Sequence, residues 1–317
     1  MIEADAIIVG GGPAGTSCAR ELTAAGWHTL ILDKADFPRN KLCAGWITPR
    51  VFRLLGLPPE EYPYTLTHFK TLHFRLKGFP LAIPTRQYAI RRFEFDRWLL
   101  ERSGAELYRH RVKEIEHNAD RFVIDDLYAA PVLVGAGGTQ CPVARSFFVP
   151  SKDSPSRRIV TLEEEFPHDI RDRNCYLWFF EKGLPGYAWY FPKNDGYVAA
   201  GVGGLLEGLQ QRGFTIRDHW NRLTEKLARK GLVTGRSFHP AGHSYYLRGA
   251  RKQLQRGRVY LTGDAAGLAT RDLGEGIGPA IHSGMLAARS IIEGHSYSIT
   301  PVQASSLRDI LLPPSPP

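Results

Sequence analysis

Residues 1–34, MIEADAIIVGGGPAGTSCARELTAAGWHTLILDK, decide the fold. Ala6 to Val9 is a short apolar run, Gly10, Gly12 and Gly15 punctuate the segment after it, and Thr16 to Ala25 has the composition of a helix that Gly26 closes. A second apolar run, Thr29 to Leu32, leads into Asp33. Strand, glycine turn, helix and strand in this order make a βαβ unit of the dinucleotide-binding kind. One glycine lets the chain turn tightly, one lets the backbone approach a pyrophosphate, and one lets the helix pack close, while free N–H groups at the helix start face the anion. Asp33 can accept hydrogen bonds from ribose hydroxyls and would repel a 2′-phosphate, which points to FAD or NAD rather than NADP.

The 317 residues suffice for two modest domains, and 43% hydrophobic with 23% charged residues is ordinary for a globular chain. Only the final LLPPSPP has the composition of a disordered tail. The first strand begins close to Met1, leaving no room for a secretory leader, and no apolar run approaches the roughly 18 residues that span a bilayer; a cytoplasmic protein is expected. Cys18, Cys43, Cys141 and Cys175 form no CxxC pair, which excludes a redox-active dithiol and gives no zinc-ligand pattern, so no metal is expected. The net charge of +9 is scattered in pairs such as Arg91-Arg92 and Arg251-Lys252 with no nucleic-acid motif. A basic surface in peripheral contact with anionic lipid head groups is expected, and no nucleic acid.

Three later blocks extend the nucleotide site. DFPRNKLCAGWITPR, residues 36–50, is a loop that comes directly after Asp33 and is expected to lie over the cofactor. In YAIRRFEFDRWLLERSG, residues 88–104, Arg92 shares a helical stripe with Phe95 and Leu99 and can reach phosphate. In RGRVYLTGDAAGLATRDLGEGIGPAIHSGMLAARSII, a strand from Val259 to Leu261 precedes Asp264, and a helix begins near Gly278. A carboxylate at a strand end can bind the hydroxyls of a ribityl chain, which FAD has and NAD lacks, and the N–H groups around Gly276 and Ile277 can stabilise the N1–C2=O edge of a reduced flavin.

Between these blocks the chain changes character. FKTLHFRL, RRIVTLEEEF, CYLWFFE, GYAWYFPK and GYVAAGVGG read as a largely antiparallel, aromatic-rich sheet. Tyr187, Trp189 and Phe191 alternate and so share one strand face, which is expected to line an apolar substrate cavity, and Pro192 ends the strand. The GVGG at 201–204 reads as a turn. The fold class is therefore α/β, a Rossmann-type FAD-binding domain with an inserted, largely antiparallel β-sheet substrate domain. Residues 1–60, 91–150 and 246–300 are expected to form the FAD domain, 61–90 and 151–245 the cap, and 301–317 a proline-rich tail.

The segments GGGPAG, PRNKLCAGW, RRFEFD, LVGAGGTQCPVAR and LTGDAAGLATRDLGEGIGPA, in this order, resemble the p-hydroxybenzoate hydroxylase-like flavoproteins and, more closely, the geranylgeranyl reductase family. The resemblance implies that FAD lies along Gly10, Gly12, Ala14 and Gly15, with Asp33 on the adenosine ribose and Lys34, Arg39 and Lys41 among the binding residues. It implies Cys43, Ala44 and Trp46 beside the cofactor, Arg92 near its phosphates and Val112 at the adenine. Asp264 would hold the ribityl or pyrophosphate region, with Gly276 and Ile277 facing the isoalloxazine. Two departures stand out: Gly135-Ala136-Gly137-Gly138 lacks the aspartate of the hydroxylase-type segment, and Cys43-Ala44-Gly45-Trp46 carries a bulky indole. Cys43 is a candidate for assisting protonation or simply for packing on the flavin ring.

The implied activity is reduction of carbon–carbon double bonds in an apolar, isoprenoid-like substrate, with NAD(P)H or an electron-donor protein as reductant. The short stretch after Gly278 is expected to lack the extension that encloses long prenyl chains in larger relatives. The YxWxFP pattern is also similar to the WxWxIP signature of flavin-dependent halogenases, with Lys70 as the lysine in question. A monooxygenase or halogenase acting on an aromatic substrate, and a non-catalytic flavin redox sensor, are the alternatives.

Overall fold

The computed structural model describes residues 1–118, 120–148 and 157–311. Its chain divides into two compact units, each assembled from separated segments: Met1–Arg39, Phe93–Pro155 and Tyr245–Ser305 in the first, Asn40–Arg92, Ser156–Ser244 and Ser306–Pro317 in the second. The first boundary thus falls at Arg39/Asn40 instead of residue 60, and the PRNKLCAGW loop belongs mostly to the second unit.

In the first unit the apolar Ala6–Val9 strand is buried on both faces, as a parallel sheet covered by helices requires. It pairs with Val132–Gly135 on one side and Thr29–Asp33 on the other. Glu106–Arg109 lies beyond Thr29–Asp33, and Val259–Leu261 followed by Gln255–Arg256 beyond Val132–Gly135. Only the last pair of this six-stranded sheet is antiparallel. The helix after the glycine turn runs Pro13–Ala24, three residues earlier than expected at its start, because Pro13 occupies the first helical position where its missing N–H costs nothing. Ala25 caps it and Gly26, at φ 85°, turns the chain away. A Cβ on Gly15 would lie 1.9 Å from the Gly10 carbonyl oxygen, so the helix can approach the first strand only with glycine there.

The second unit is built on an eight-stranded sheet in the order Ala241–Tyr246, Arg158–Pro167, Tyr197–Leu205, Gly186–Pro192, Cys175–Phe179, Thr67–Leu76, Phe79–Ala89 and Trp46–Ile47. Cys175–Phe179 and Thr67–Leu76 run parallel, while the hairpin and meander pairs are antiparallel. One face, with Ala188, Tyr190, Val198 and Ala200, packs under the helix Ile216–Arg229 through Trp220, Leu223 and Leu227. A reciprocal cap starts that helix: Thr215 Oγ1 accepts the Asp218 N–H at 3.2 Å and Asp218 Oδ2 accepts the Thr215 N–H at 2.7 Å.

The GVGG segment is not a turn. Residues 201–204 lie inside the Tyr197–Leu205 strand, and Gly201 pairs with Trp189 on one side and Glu163 on the other. The glycines make room for a neighbour's indole, a packing demand that a local turn motif mimics. Nor is the stretch after 300 merely a tail: Val302 is buried, and Leu307–Leu311 is a short helix with Ile310 buried. The remaining LPPSPP, residues 312–317, lies outside the described residues.

Gly15→Ala is expected to cost roughly 1–3 kcal/mol through this overpacking. Thermal unfolding checks it, and an unchanged melting temperature would mean that the helix can retreat from Gly10.

Candidate functional site

The glycine turn carries an anion cradle. Gly12 begins the Pro13–Ala24 helix with no side-chain cap, Pro13 has no N–H, and the first intrahelical bond from the turn is Thr16 N–H to Gly12 O at 3.0 Å. The early amides of Ala14 and Gly15 are therefore of the kind that a helix leaves for an anion. Arg39 reaches the same turn: a Cβ on Gly12 would be 3.4 Å from its Nη2, which stands 3.2 Å from Asp96. The Arg39 Nε is buried without a hydrogen-bond acceptor, as a guanidinium built for an anionic group would be. Asp33 is fixed at the tip of the next strand, its Oδ2 accepting the Gly11 N–H at 2.8 Å and its Oδ1 the Ala35 N–H at 2.9 Å. Each oxygen keeps a lone pair suited to a ribose hydroxyl. Lys34 is exposed, and Val112 is buried in the core shortly after His110, whose N–H donates to the Asp33 carbonyl at 2.7 Å.

Asp264 sits in the turn Gly263–Ala265 that comes after the Val259–Leu261 strand. Its Oδ1 would lie 3.5 Å from a Cβ on Gly276, the residue that caps the helix Ile277–Glu293. Glu275 Oε1 already accepts the Gly278 N–H at 2.6 Å, and Pro279 has none, so Gly276 and Ile277 carry the amides that remain at this helix start. The residues of the first unit thus supply donors for a pyrophosphate and acceptors for ribose and ribityl hydroxyls.

Lys41, Cys43, Ala44, Trp46 and Arg92 fall in the second unit. Trp46 Nε1 donates to Gln87 Oε1 at 3.0 Å, and Gln87 Nε2 donates to the Asp309 carbonyl at 3.0 Å. The half-buried Cys43 accepts the Gly45 N–H at its Sγ at 3.3 Å, a bond within its own loop. Arg92, expected at phosphate, is buried in the second unit and acts electrostatically on Glu163; within the first unit the guanidinium at the glycine turn is Arg39.

The second unit's other sheet face gathers groups that sequence reading overlooked. Tyr187, Trp189 and Phe191 do share it, with Phe191 fully buried between Trp46 at 5.5 Å and Phe69 at 5.7 Å between ring centroids. Glu163 joins them and is only 6% exposed. A Cβ on Gly201 would be 2.2 Å from Trp189 Cζ2 and 2.7 Å from Glu163 Cβ, so the indole lies in the glycine gap against the glutamate. The Trp189 Nε1 is buried without an acceptor. Among the described residues no hydrogen bond or ion pair holds the Glu163 carboxyl. Burial raises its pKa to about 7, against the opposing pull of Lys41, Lys193 and Arg92, while Glu165 adds to the rise.

The surrounding charges are organised. Buried Lys193 pairs with Glu165, which also accepts from Arg91 Nε at 2.9 Å and is held below the ordinary glutamate range by these two cations despite its burial. Arg91 Nη1 reaches Asp195 at 3.1 Å, and Lys41 Nζ lies 2.9 Å from His243 Nε2. Lys70, in contrast, is exposed at a bulge of the Thr67–Leu76 strand.

A family model described as an FAD binding domain matches residues 3–57. An uncharacterized protein of Methanosarcina barkeri is 30% identical over 97% of this chain and 79% of its own. Digeranylgeranylglycerophospholipid reductase 3 of Methanosphaera stadtmanae is 26% identical over 93% of this chain and 80% of its own. The chain belongs to the geranylgeranyl reductase family. As a member of that family it is an FAD-dependent oxidoreductase. A menaquinone reductase of Mycobacterium tuberculosis is 26% identical over 90% of this chain and 76% of its own. The fold recurs in a geranylgeranyl bacteriochlorophyll reductase-like protein of Thermoplasma acidophilum, with a TM-score of 0.80, 20% identity and coverage of 93% of this chain and 79% of that one. It recurs also in a flavin-dependent brominase, with a TM-score of 0.73 at 17% identity over 93% of this chain and 81% of that one.

The raised pKa of Glu163 has a consequence for stability. With a folded pKa of about 7 against an ordinary 4.5, the folded state binds the proton more tightly than the unfolded state. Stability is therefore lost as pH rises from about 4.5 to about 7, and the full penalty persists above. Glu163→Gln removes the penalty and is expected to stabilise the protein at pH 8 by roughly 2–3 kcal/mol relative to its effect at pH 4.5. Chemical unfolding at the two pH values checks this; equal effects at both would show the carboxyl to be ordinary.

Proposed function

We propose that the protein reduces carbon–carbon double bonds of an apolar, isoprenoid-like lipid. The observation that carries this reading is the aromatic face of Tyr187, Trp189 and Phe191 with one buried, near-neutral carboxyl, Glu163, set into it. An apolar chain gains by leaving water for such an aromatic lining, and the carboxyl set into it is placed to act as a proton donor. The names of the reductase relatives support the substrate class.

Bound FAD, once reduced, supplies hydride. The Ala14 and Gly15 amides and Arg39 would hold its pyrophosphate, Asp33 its adenosine ribose and Asp264 its ribityl chain. Ile277 N–H would favour negative charge on the reduced ring. Hydride addition to one alkene carbon requires a proton on the other, and Glu163 is the acid we assign to it. Its pKa of about 7 leaves it protonated for a substantial fraction of the time near neutrality, and Lys41, Lys193 and Arg92 stabilise the carboxylate that remains after transfer. Solvent protons restore the acid, and NAD(P)H or an electron-donor protein would supply the reducing equivalents.

Asp264→Ala is expected to lower FAD content at least about tenfold in affinity, because charge-assisted hydrogen bonds are lost. Absorbance of the purified protein and FAD titration measure it, and full occupancy with native affinity would remove Asp264 from the site.

The reductase reading is tested with chemically reduced protein and a polyprenyl lipid under anaerobic conditions. Saturated product should form, and its rate should fall as pH rises through about 7 as Glu163 loses its proton. Glu163→Gln should slow the reaction about a hundredfold or more and abolish that pH dependence, while Lys70→Ala should stay within about tenfold. Product that appears only with oxygen and halide, and is lost in Lys70→Ala, would establish the halogenase chemistry instead.

A further inference from the structure

The aromatic face does not end at buried residues. Strand register carries it outward in three rows across the sheet. Trp189 pairs with Leu177, Leu177 with Phe74 and Phe74 with Leu81; Tyr187 leads in the same way through Phe179 and Leu76 to Phe79. Phe191 heads the third row, on the side of Leu72 and Ile83. Residues directly opposite in a sheet share a face, so these rows are one apolar surface.

Exposure rises steeply along it. In one row Trp189 is 5% exposed, Leu177 0%, Phe74 9% and Leu81 56%; in the next, Leu76 is 52% and Phe79 78% exposed. A phenylalanine and two leucines this open, contiguous with a buried aromatic face, form the kind of patch that an apolar partner covers. Phe180, 49% exposed beside Phe179, extends the same corner.

The corner is rimmed by cations. Lys77 and Gly78, both at positive φ, make the tight turn that joins Thr67–Leu76 to Phe79–Ala89, and the Lys77 N–H is tied to the Phe179 carbonyl at 3.1 Å. Arg75, Lys77 and Lys182 are exposed around it, and no acidic residue occurs between Glu61 and Glu94. Nearby Glu181 is paired with Lys226. The Phe79–Ala89 strand contacts Trp46–Ile47 only at its far end, through Ala89 and Tyr88. Pro80 and Pro84, which lack an N–H, interrupt its open edge and oppose addition of a strand from another chain.

We propose that the Thr67–Leu76/Phe79–Ala89 hairpin is a bilayer-docking edge, in which Phe79, Leu81 and Leu76 enter the acyl boundary and Arg75, Lys77 and Lys182 engage anionic head groups. Neither apolar side chains nor a few basic ones hold a protein to a membrane strongly alone, and the two together do. The surface so placed continues into the aromatic face, so a lipid could pass from the bilayer along apolar contacts. The assignment deepens the isoprenoid-lipid reading and rests on it for the choice of a bilayer as partner.

The test uses the FAD-loaded full chain and vesicles without isoprenoid lipid, so that it involves no turnover and can fail separately from the reductase reading. The protein should sediment with vesicles of phosphatidylcholine and phosphatidylglycerol more than with phosphatidylcholine alone, and salt should weaken this. Phe79→Ser with Leu81→Ser should reduce binding at least about tenfold, and Lys77→Glu with Lys182→Glu should abolish the preference for the anionic vesicles. Flavin absorbance and melting temperature should stay native in both variants; should the apolar pair misfold, the charge pair decides alone. Wild-type protein that ignores both vesicles overturns the proposal. So do variants that bind as wild type, or a dimer in size-exclusion chromatography that the apolar pair dissociates without changing vesicle binding.

Discussion

A missing side chain at Gly201 governs the functional face of the second unit. The Trp189 indole fills that gap and presses on Glu163, so a strand residue that would otherwise reach water is held in an apolar setting. Any Cβ at 201 would meet ring atoms at well under contact distance and force the indole up from the sheet. The seat of the Trp189 ring and its packing against the acid depend on this one gap in the strand.

The charges around that floor show why the acid stays unpaired while others do not. Glu165 stands two residues further on the same face, and Lys193 and Arg91 both converge on it. With Lys193 engaged there, Glu163 feels it, together with Lys41 and Arg92, only as a field, strong enough to moderate the effect of burial and too diffuse to cancel it. Neighbouring carboxyls in one TLEEEF run thereby acquire opposite tendencies, one held ionised and the other near neutrality.

How much of this was legible in the sequence depends on range. The nucleotide unit was legible because its information is local: glycine spacing, apolar runs and Asp33 lie within one stretch, and the strand from Val259 to Leu261 emerged where expected. The shared face of Tyr187, Trp189 and Phe191 comes from alternation alone. Glu163 was hidden because three consecutive glutamates look like a solvated run, and its burial is set by residues that strand pairing brings from 189 and 201. GVGG misled for the same reason, since a glycine that yields space to a distant indole is indistinguishable locally from one that turns the chain. His243, joined to Lys41 from two hundred residues away, carried no signal of its own.

The segmented layout of the first unit bears on the order of its assembly. Its central Val132–Gly135 strand is flanked by Ala6–Val9 and by Val259–Leu261, and the second unit's chain intervenes. During synthesis the N-terminal strands can pair early, but one edge of that sheet must wait until residues near 261 leave the ribosome. Long-range closure of this kind is slow and leaves a sticky apolar margin open meanwhile. The glycine turn would thus form before the segment that carries Asp264, so a nascent chain would meet its nucleotide with half of the binding groups in place, and premature release would yield a fragment with an unsealed strand rather than a small working domain.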